Sequence, residues 1–227
     1  MRRILVAHGT RKATGVALIE RIADQVAVTL DQPVDVAFVD VIGPTPAEVL
    51  RTAPDRPAVL VPAFLSRGYH VHVDIPEHVH ASGHPDVTVA AALGPDPQLV
   101  RVLGDRLVES GWRPGDSVIL AAAGTSDRGA LRDLHTTATW LSAVTGGRAE
   151  LAYAATGEPR IADAVAAARL RGGRRVVVAS YLLSEGLFQD RLRASGADIV
   201  TDPLGTHPGL VRLIASRFRR ARLPVAA

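Results

Sequence analysis

The 227-residue chain contains no cysteine, one lysine (Lys12), one methionine and very few aromatic side chains. Without cysteine there are no disulfides, thiolate metal sites or thiol nucleophiles, so any metal must be held by imidazole and carboxylate. No apolar run approaches the ~20 residues of a membrane span. The opening MRRILVAHGT offers only the short stretch ILVA before His8, too little for a signal peptide. These absences set a cytoplasmic protein without membrane contact as the expectation. Nucleic acid is not an expected partner either, because aromatics make up 4% of the chain and are not interleaved with basic residues. No G-x-x-x-x-G-K-[ST] loop occurs, so no nucleotide is expected.

What is present is mostly arginine. The net charge is only +3, yet arginine lifts the pI to about 9.9. Genomic codon bias accounts for this as readily as a face that attracts an acidic small molecule. The C-terminal RFRRARLP reads as a solvated, basic helix end.

Short β-branched runs alternate with segments of helical period. Strands are expected at 4–7, 34–39, 58–63 and 87–92. Helices are expected at 13–30, 46–51, from 76 to 81 and over 96–109, with Pro97 in the first turn of the last. Such alternation favours a parallel sheet covered on both faces. After SGWRPGD the pattern restarts. SVILAAAGTSD echoes ILVAHGTRK, placing Gly124-Thr125 opposite Gly9-Thr10. AYAATGEPRIAD echoes AFVDVIGPTPAE, with Pro159 opposite Pro44. YLLSEGLF echoes AFLSRGYH, with Ser184 and Gly186 opposite Ser66 and Gly68. LGTHPGLVRLIASR echoes LGPDPQLVRVLGDR, matching Arg212 and Arg217 to Arg101 and Arg106. Four ordered matches at near-constant offset indicate duplication. The expected fold is α/β, with two similar lobes, 1–112 and 113–227, each a parallel four-stranded sheet flanked by helices. The lobes are expected to face one another across a cleft.

The repeats differ where chemistry would sit. His8 aligns with Ala123, Asp40 with Ala155 and His70 with Phe188. Ligands of open parallel sheets gather outside the carboxyl ends of the strands. If the first strand lies between the second and third, His8, Asp40 and His70 come from adjacent strand ends ~4.8 Å apart. Imidazole, carboxylate and imidazole then converge on one ion such as Fe2+, Co2+, Ni2+ or Zn2+. Taken singly, each histidine also reads as a hydrogen-bonded structural residue and Asp40 as a helix cap. Together, at equivalent strand ends and absent from the second repeat, they read as a site. A histidine phosphatase also carries His-Gly near its first strand, but needs Arg before the histidine, where this chain has Ala7.

V-A-H-G-T-R, F-V-D-V-x-x-P-T-P and G-Y-H-V-x-x-D-I-P resemble the class II chelatases that act on sirohydrochlorin, in their duplicated long form. The resemblance covers nearly the whole chain. It implies insertion of a divalent metal into a carboxylate-rich tetrapyrrole, with Fe2+ favoured and Co2+ or Ni2+ as alternatives. It also implies that His8 and His70 handle the metal and the pyrrole protons. Where the family commonly has Glu, this chain has Asp40, one methylene shorter, which favours proton handling over direct coordination. Insertion expels two pyrrole protons, and imidazole is suited to accept them near neutral pH. Arg11, Lys12 and Arg67 flank the histidines and are the candidates for substrate carboxylates, with Arg128 a weaker one in the second lobe. Five of the eight histidines fall between His70 and His84. His72, His78, His80 and His84 read either as surface residues or as a metal relay. A carrier of ring or metal without turnover is the alternative function. A monomer is expected, since the duplication supplies both cleft walls.

Overall fold

The computed structural model describes residues 1–172 and 175–221. The chain is an α/β protein with two parallel sheets of four strands each. The first sheet is built from β1 (Arg2–Ala7), β2 (Asp35–Phe38), β3 (Ala58–Pro62) and β4 (Val87–Val89), in the order β2-β1-β3-β4. Between them run α1 (Ala13–Leu30), α2 (Pro46–Arg51) and α3 (Ile75–Ser82). The second sheet repeats the pattern with β5 (Ser117–Gly124), β6 (Glu150–Thr156), β7 (Val176–Tyr181) and β8 (Ile199–Val200), ordered β6-β5-β7-β8. Its flanking helices are α5 (Arg128–Thr145), α6 (Ile161–Leu170) and α7 (Leu187–Arg193). Two further helices, α4 (Pro97–Glu109) and α8 (Pro208–Arg220), follow β4 and β8.

The central strands β1, β3 and β7 are buried along almost their whole length, as helices on both faces of a parallel sheet require. One face of the first sheet, with Ile4, Val6, Ala37 and Leu60, packs on Val49 and Leu50 of α2 and Ile75 of α3. Of the stripe Val16, Ile19, Ile22, Ala23 and Val26 that the spacing predicts for helix α1, all but Val16 are buried, and Leu18 is buried with them. It ends at Asp31 in the left-handed conformation, whose N–H caps the carbonyls of Ala27 and Val28. β4 stops at Val89 rather than at 92, because only three of its residues pair with β3.

Of the two compact units, one is built from two separate stretches of chain. One contains Met1–Leu93 together with the chain from Leu210 onward, and the other Gly94–Gly209. Helix α8 therefore completes the first sheet, and α4 the second. The arginine shared by the repeats shows what holds each helix. Arg217 donates to the carbonyls of Ala92 and Leu93, both at 3.2 Å. Arg106 donates to Leu204 at 3.2 Å, and Leu204 is the repeat partner of Leu93. Each arginine thus reaches the Leu-Gly turn of the opposite repeat. The basic end of α8 is accordingly not simply solvated: Arg219 donates to Thr29 at 3.0 Å. Residues 222–224 of that stretch lie outside the described residues.

Candidate functional site

The turn after β1 places His8 by backbone bonding. Val39 N–H donates to Ala7 and Asp40 N–H donates to His8, both at 3.0 Å, extending the β1–β2 pairing past the ladder. Gly9 sits at φ +102°, and a Cβ there would lie 2.1 Å from the Asp40 carbonyl oxygen. Only glycine tolerates that conformation and that approach. On the other side Ala63 N–H donates to Val6, so the exits of β1, β2 and β3 are adjacent. This is the strand order on which the expected convergence depended.

His70 lies beyond β3, on one π-helical turn, His70–Asp74, that runs into α3. The turn closes with Ile75 N–H donating to His70. Pro76 has no N–H to donate, which is why sequence alone starts the helix there. π-Turns recur at functional sites, where they re-aim a side chain within a helix. Here the turn brings the His70 ring to the His8 ring, with centroids 4.4 Å apart and planes at 70°. Phe64 stacks on His70 at 5.6 Å, and Tyr69 meets it edge-on at 6.1 Å. His8 is exposed and His70 half-buried. The Nδ1 of His70 contacts the Oδ2 of Asp74.

Asp40 is exposed, and its Oδ1 accepts from the N–H of Val41 at 2.6 Å. Val41 adopts φ +69°, a conformation β-branched residues rarely take. Among the described residues no three His, Asp or Glu side chains form a group that could hold a metal. The expected convergence of imidazole, carboxylate and imidazole on one ion is therefore reduced to the two imidazoles. A short aspartate that bonds its neighbour's backbone does not reach as a longer side chain would.

Arg11, Lys12 and Arg67 are exposed. Lys12 precedes the first turn of α1, where its side chain makes no cap. Arg128 is exposed at the start of α5. The four further histidines from His72 to His84 are separated in role. His78 Nε2 lies 3.3 Å from the Val39 carbonyl. His84 Nε2 lies 3.1 Å from the Arg56 carbonyl, and its Nδ1 accepts from Asp86 N–H at 3.2 Å. These two are engaged by backbone, while His72 and His80 are exposed. Sequence reasoning missed Asp74, although it stands at i+4 from His70 inside the G-Y-H-V-x-x-D-I-P motif.

Among the described residues of the second unit no equivalent pair occurs. Phe188 occupies the His70 position in α7, with the Arg191 guanidinium 5.8 Å from its ring centroid. Ala123 and Ala155 stand where His8 and Asp40 do.

A family model described as CbiX matches residues 2–110 and 117–221, one stretch on each repeat. The chain belongs to the CbiX family. This is the sirohydrochlorin chelatase family that the motifs resemble, in its two-lobe form. Among curated relatives, a sirohydrochlorin cobaltochelatase of Methanothermobacter thermautotrophicus is 27% identical over 126 residues, 46% of this chain and 88% of that protein. Among solved structures, SirB from Bacillus subtilis with Fe3+ superposes with a TM-score of 0.85 at 20% identity, covering 97% of this chain and 96% of that one. SirB from Bacillus subtilis subspecies spizizenii in complex with cobalt gives a TM-score of 0.74 at 20% identity, over 97% and 95% of the two chains. At that identity the likeness is one of fold. No helix among the described residues is long and apolar enough to cross a membrane.

Proposed function

We propose that this CbiX-family protein inserts a divalent metal into sirohydrochlorin without nucleotide, with Fe2+ as the physiological ion. The reading rests on one observation: two imidazoles of the first repeat stand edge to face, 4.4 Å between centroids, at the carboxyl ends of the sheet. Replacing two pyrrole protons by M2+ needs a group to present the ion and a base for the protons. Two neutral imidazoles serve both needs: together they hold the ion, and as the ring takes it over an imidazole so freed accepts a pyrrole proton. Asp40, exposed at the neighbouring strand end, passes the protons on to water. Arg11, Lys12 and Arg67 meet the ring's carboxylates, the arginines by bidentate pairing that also orients. The protein works as a monomer, each copy carrying its own imidazole pair.

A second reading, cobalt insertion into the same ring, is favoured by the cobaltochelatase name of the Methanothermobacter relative. Imidazole suits both ions, and selectivity at such sites follows supply and geometry as much as ligand type. The test is anaerobic mixing of protein, sirohydrochlorin and Fe2+ or Co2+ while following the absorption spectrum. Metallation faster than the protein-free control supports the enzyme, and the ratio of the two rates assigns the metal. Ring binding without acceleration makes the protein a carrier and overturns the proposal.

A further inference from the structure

A histidine that ligates a metal commonly donates its other ring N–H to a carboxylate, which fixes the ring's tautomer and orientation. His70 has such a partner within its own π-helical turn. A carboxylate accepts hydrogen bonds, so the contact with Asp74 Oδ2 selects the form of His70 that carries a proton on Nδ1. Nε2 is then the ring nitrogen left with a lone pair. The ring is also held on a face by Phe64 and from the edge by His8 and Tyr69. Asp74 is largely covered, its side chain 20% exposed against 30% for His70, so water competes poorly for the contact.

The second repeat supplies an independent observation. The offset that sets Phe188 opposite His70 sets Leu192 opposite Asp74, and Leu192 is fully buried in the apolar core of its lobe. Where the histidine is absent its carboxylate is absent too, and a core leucine fills the place. A carboxylate needed only to shape the helix would have had no reason to follow the histidine.

We infer that Asp74 is a positioning residue: it fixes His70 as the Nδ1–H tautomer, so that Nε2 stands ready beside His8 for a divalent cation. The contact joins the first and last residues of the π-turn as the chain passes into α3. The inference deepens the reading of His8 and His70 as the metal-handling pair, and rests on it.

The test uses the full chain. Nitrogen-15 imidazole spectra of the metal-free protein report the tautomer of His70, and calorimetric titration with Co2+ alone reports affinity. For Asp74→Ala the expected results are a shift of His70 toward the Nε2–H form and Co2+ binding weaker by about 10–100-fold. Metallation turnover should fall with KM for the ring changed less than about twofold, since the group removed acts through His70 and not on the ring. Asp74→Glu should restore affinity to within about fivefold of wild type, by returning the carboxylate. A thermal melt establishes folding. If Asp74→Ala does not fold, Asp74→Asn replaces it, with an expected loss of roughly three- to tenfold from the weaker neutral acceptor. An unchanged tautomer with Co2+ affinity within twofold, in a folded variant, overturns the inference. Failure of the wild type to metallate sirohydrochlorin would overturn the proposed function instead, and would leave the tautomer and Co2+ results standing.

Discussion

Gly9 approaches Asp40 so closely that a Cβ on the glycine would lie 2.1 Å from the aspartate's carbonyl oxygen. The same relationship recurs in the second lobe, where a Cβ on Gly124 would lie 1.8 Å from the Thr156 oxygen. The tight turn is thus a property of the fold, while the histidine before Gly9 is a property of one lobe. Gly9→Ala and Gly124→Ala should each cost more than about 1 kcal/mol in thermal or denaturant unfolding. Only Gly9→Ala should also weaken Co2+ binding, because only that turn carries His8. Equal loss of Co2+ affinity in both variants would contradict the assignment of the site to the first repeat.

Asp40 gives a prediction of a different kind. Its Oδ1 is engaged by the Val41 N–H, and it handles protons in our proposal without holding the ion. Asp40→Asn should leave Co2+ affinity within about threefold of wild type and slow metallation by about a hundredfold or more, in the range of general acid–base contributions. A large loss of Co2+ affinity in calorimetry would make Asp40 a ligand instead.

The loop that carries Asp40 enters α2 through a capping box. Thr45 Oγ1 accepts from Glu48 N–H, and Glu48 accepts from Thr45 N–H at 2.7 Å. That backbone bond, with the Thr45 hydroxyl, holds the Glu48 carboxyl below the ordinary glutamate range. A carboxyl depressed in the fold contributes stability that is present above its unfolded value and lost as pH falls through the folded one. The melting temperature should therefore drop on acidification below about pH 4. Glu48→Gln should flatten that part of the profile by lowering the neutral plateau, and leave the acid end nearly unchanged. Asp198, lowered chiefly by the Val176 N–H that it accepts, contributes to the same acid limb and persists in the variant.

Much of this fold is visible in the residues. Helix α1 buries Ile19, Ile22, Ala23 and Val26 of its apolar spacing, and the residues alone pair His8 with Ala123 and His70 with Phe188. What sequence does not give is anything that depends on contact. The V-H-V run after Tyr69 has no helical stripe, so the π-turn is not legible, and the i+4 spacing of Asp74 from His70 passes unread. The exchange of α4 and α8 between units leaves no periodic signal either. It appears only as a retained arginine in each repeat, Arg106 and Arg217, whose shared purpose becomes plain once the bonds to Leu204 and Leu93 are traced.

Those arginines carry a stability prediction. Each satisfies main-chain carbonyls of a Leu-Gly turn that follows an edge strand, and a bond from a charged donor contributes about 1.5–3 kcal/mol. Arg217→Ala and Arg106→Ala should each lower the unfolding free energy by roughly that amount in urea titration. Effects within ±0.5 kcal/mol, the ordinary range for surface substitutions, would show that the helices are held by apolar contacts alone.

The central claim is that His8 and His70 together receive the ion, and X-ray absorption of the Co2+-loaded protein tests it most directly. The expected spectrum contains two imidazole nitrogens at about 2.0–2.1 Å, the range for nitrogen ligands of a similar divalent ion. One of them should vanish in His8→Ala and one in His70→Ala. A cobalt shell without imidazole, or one unchanged by both substitutions, would contradict the account.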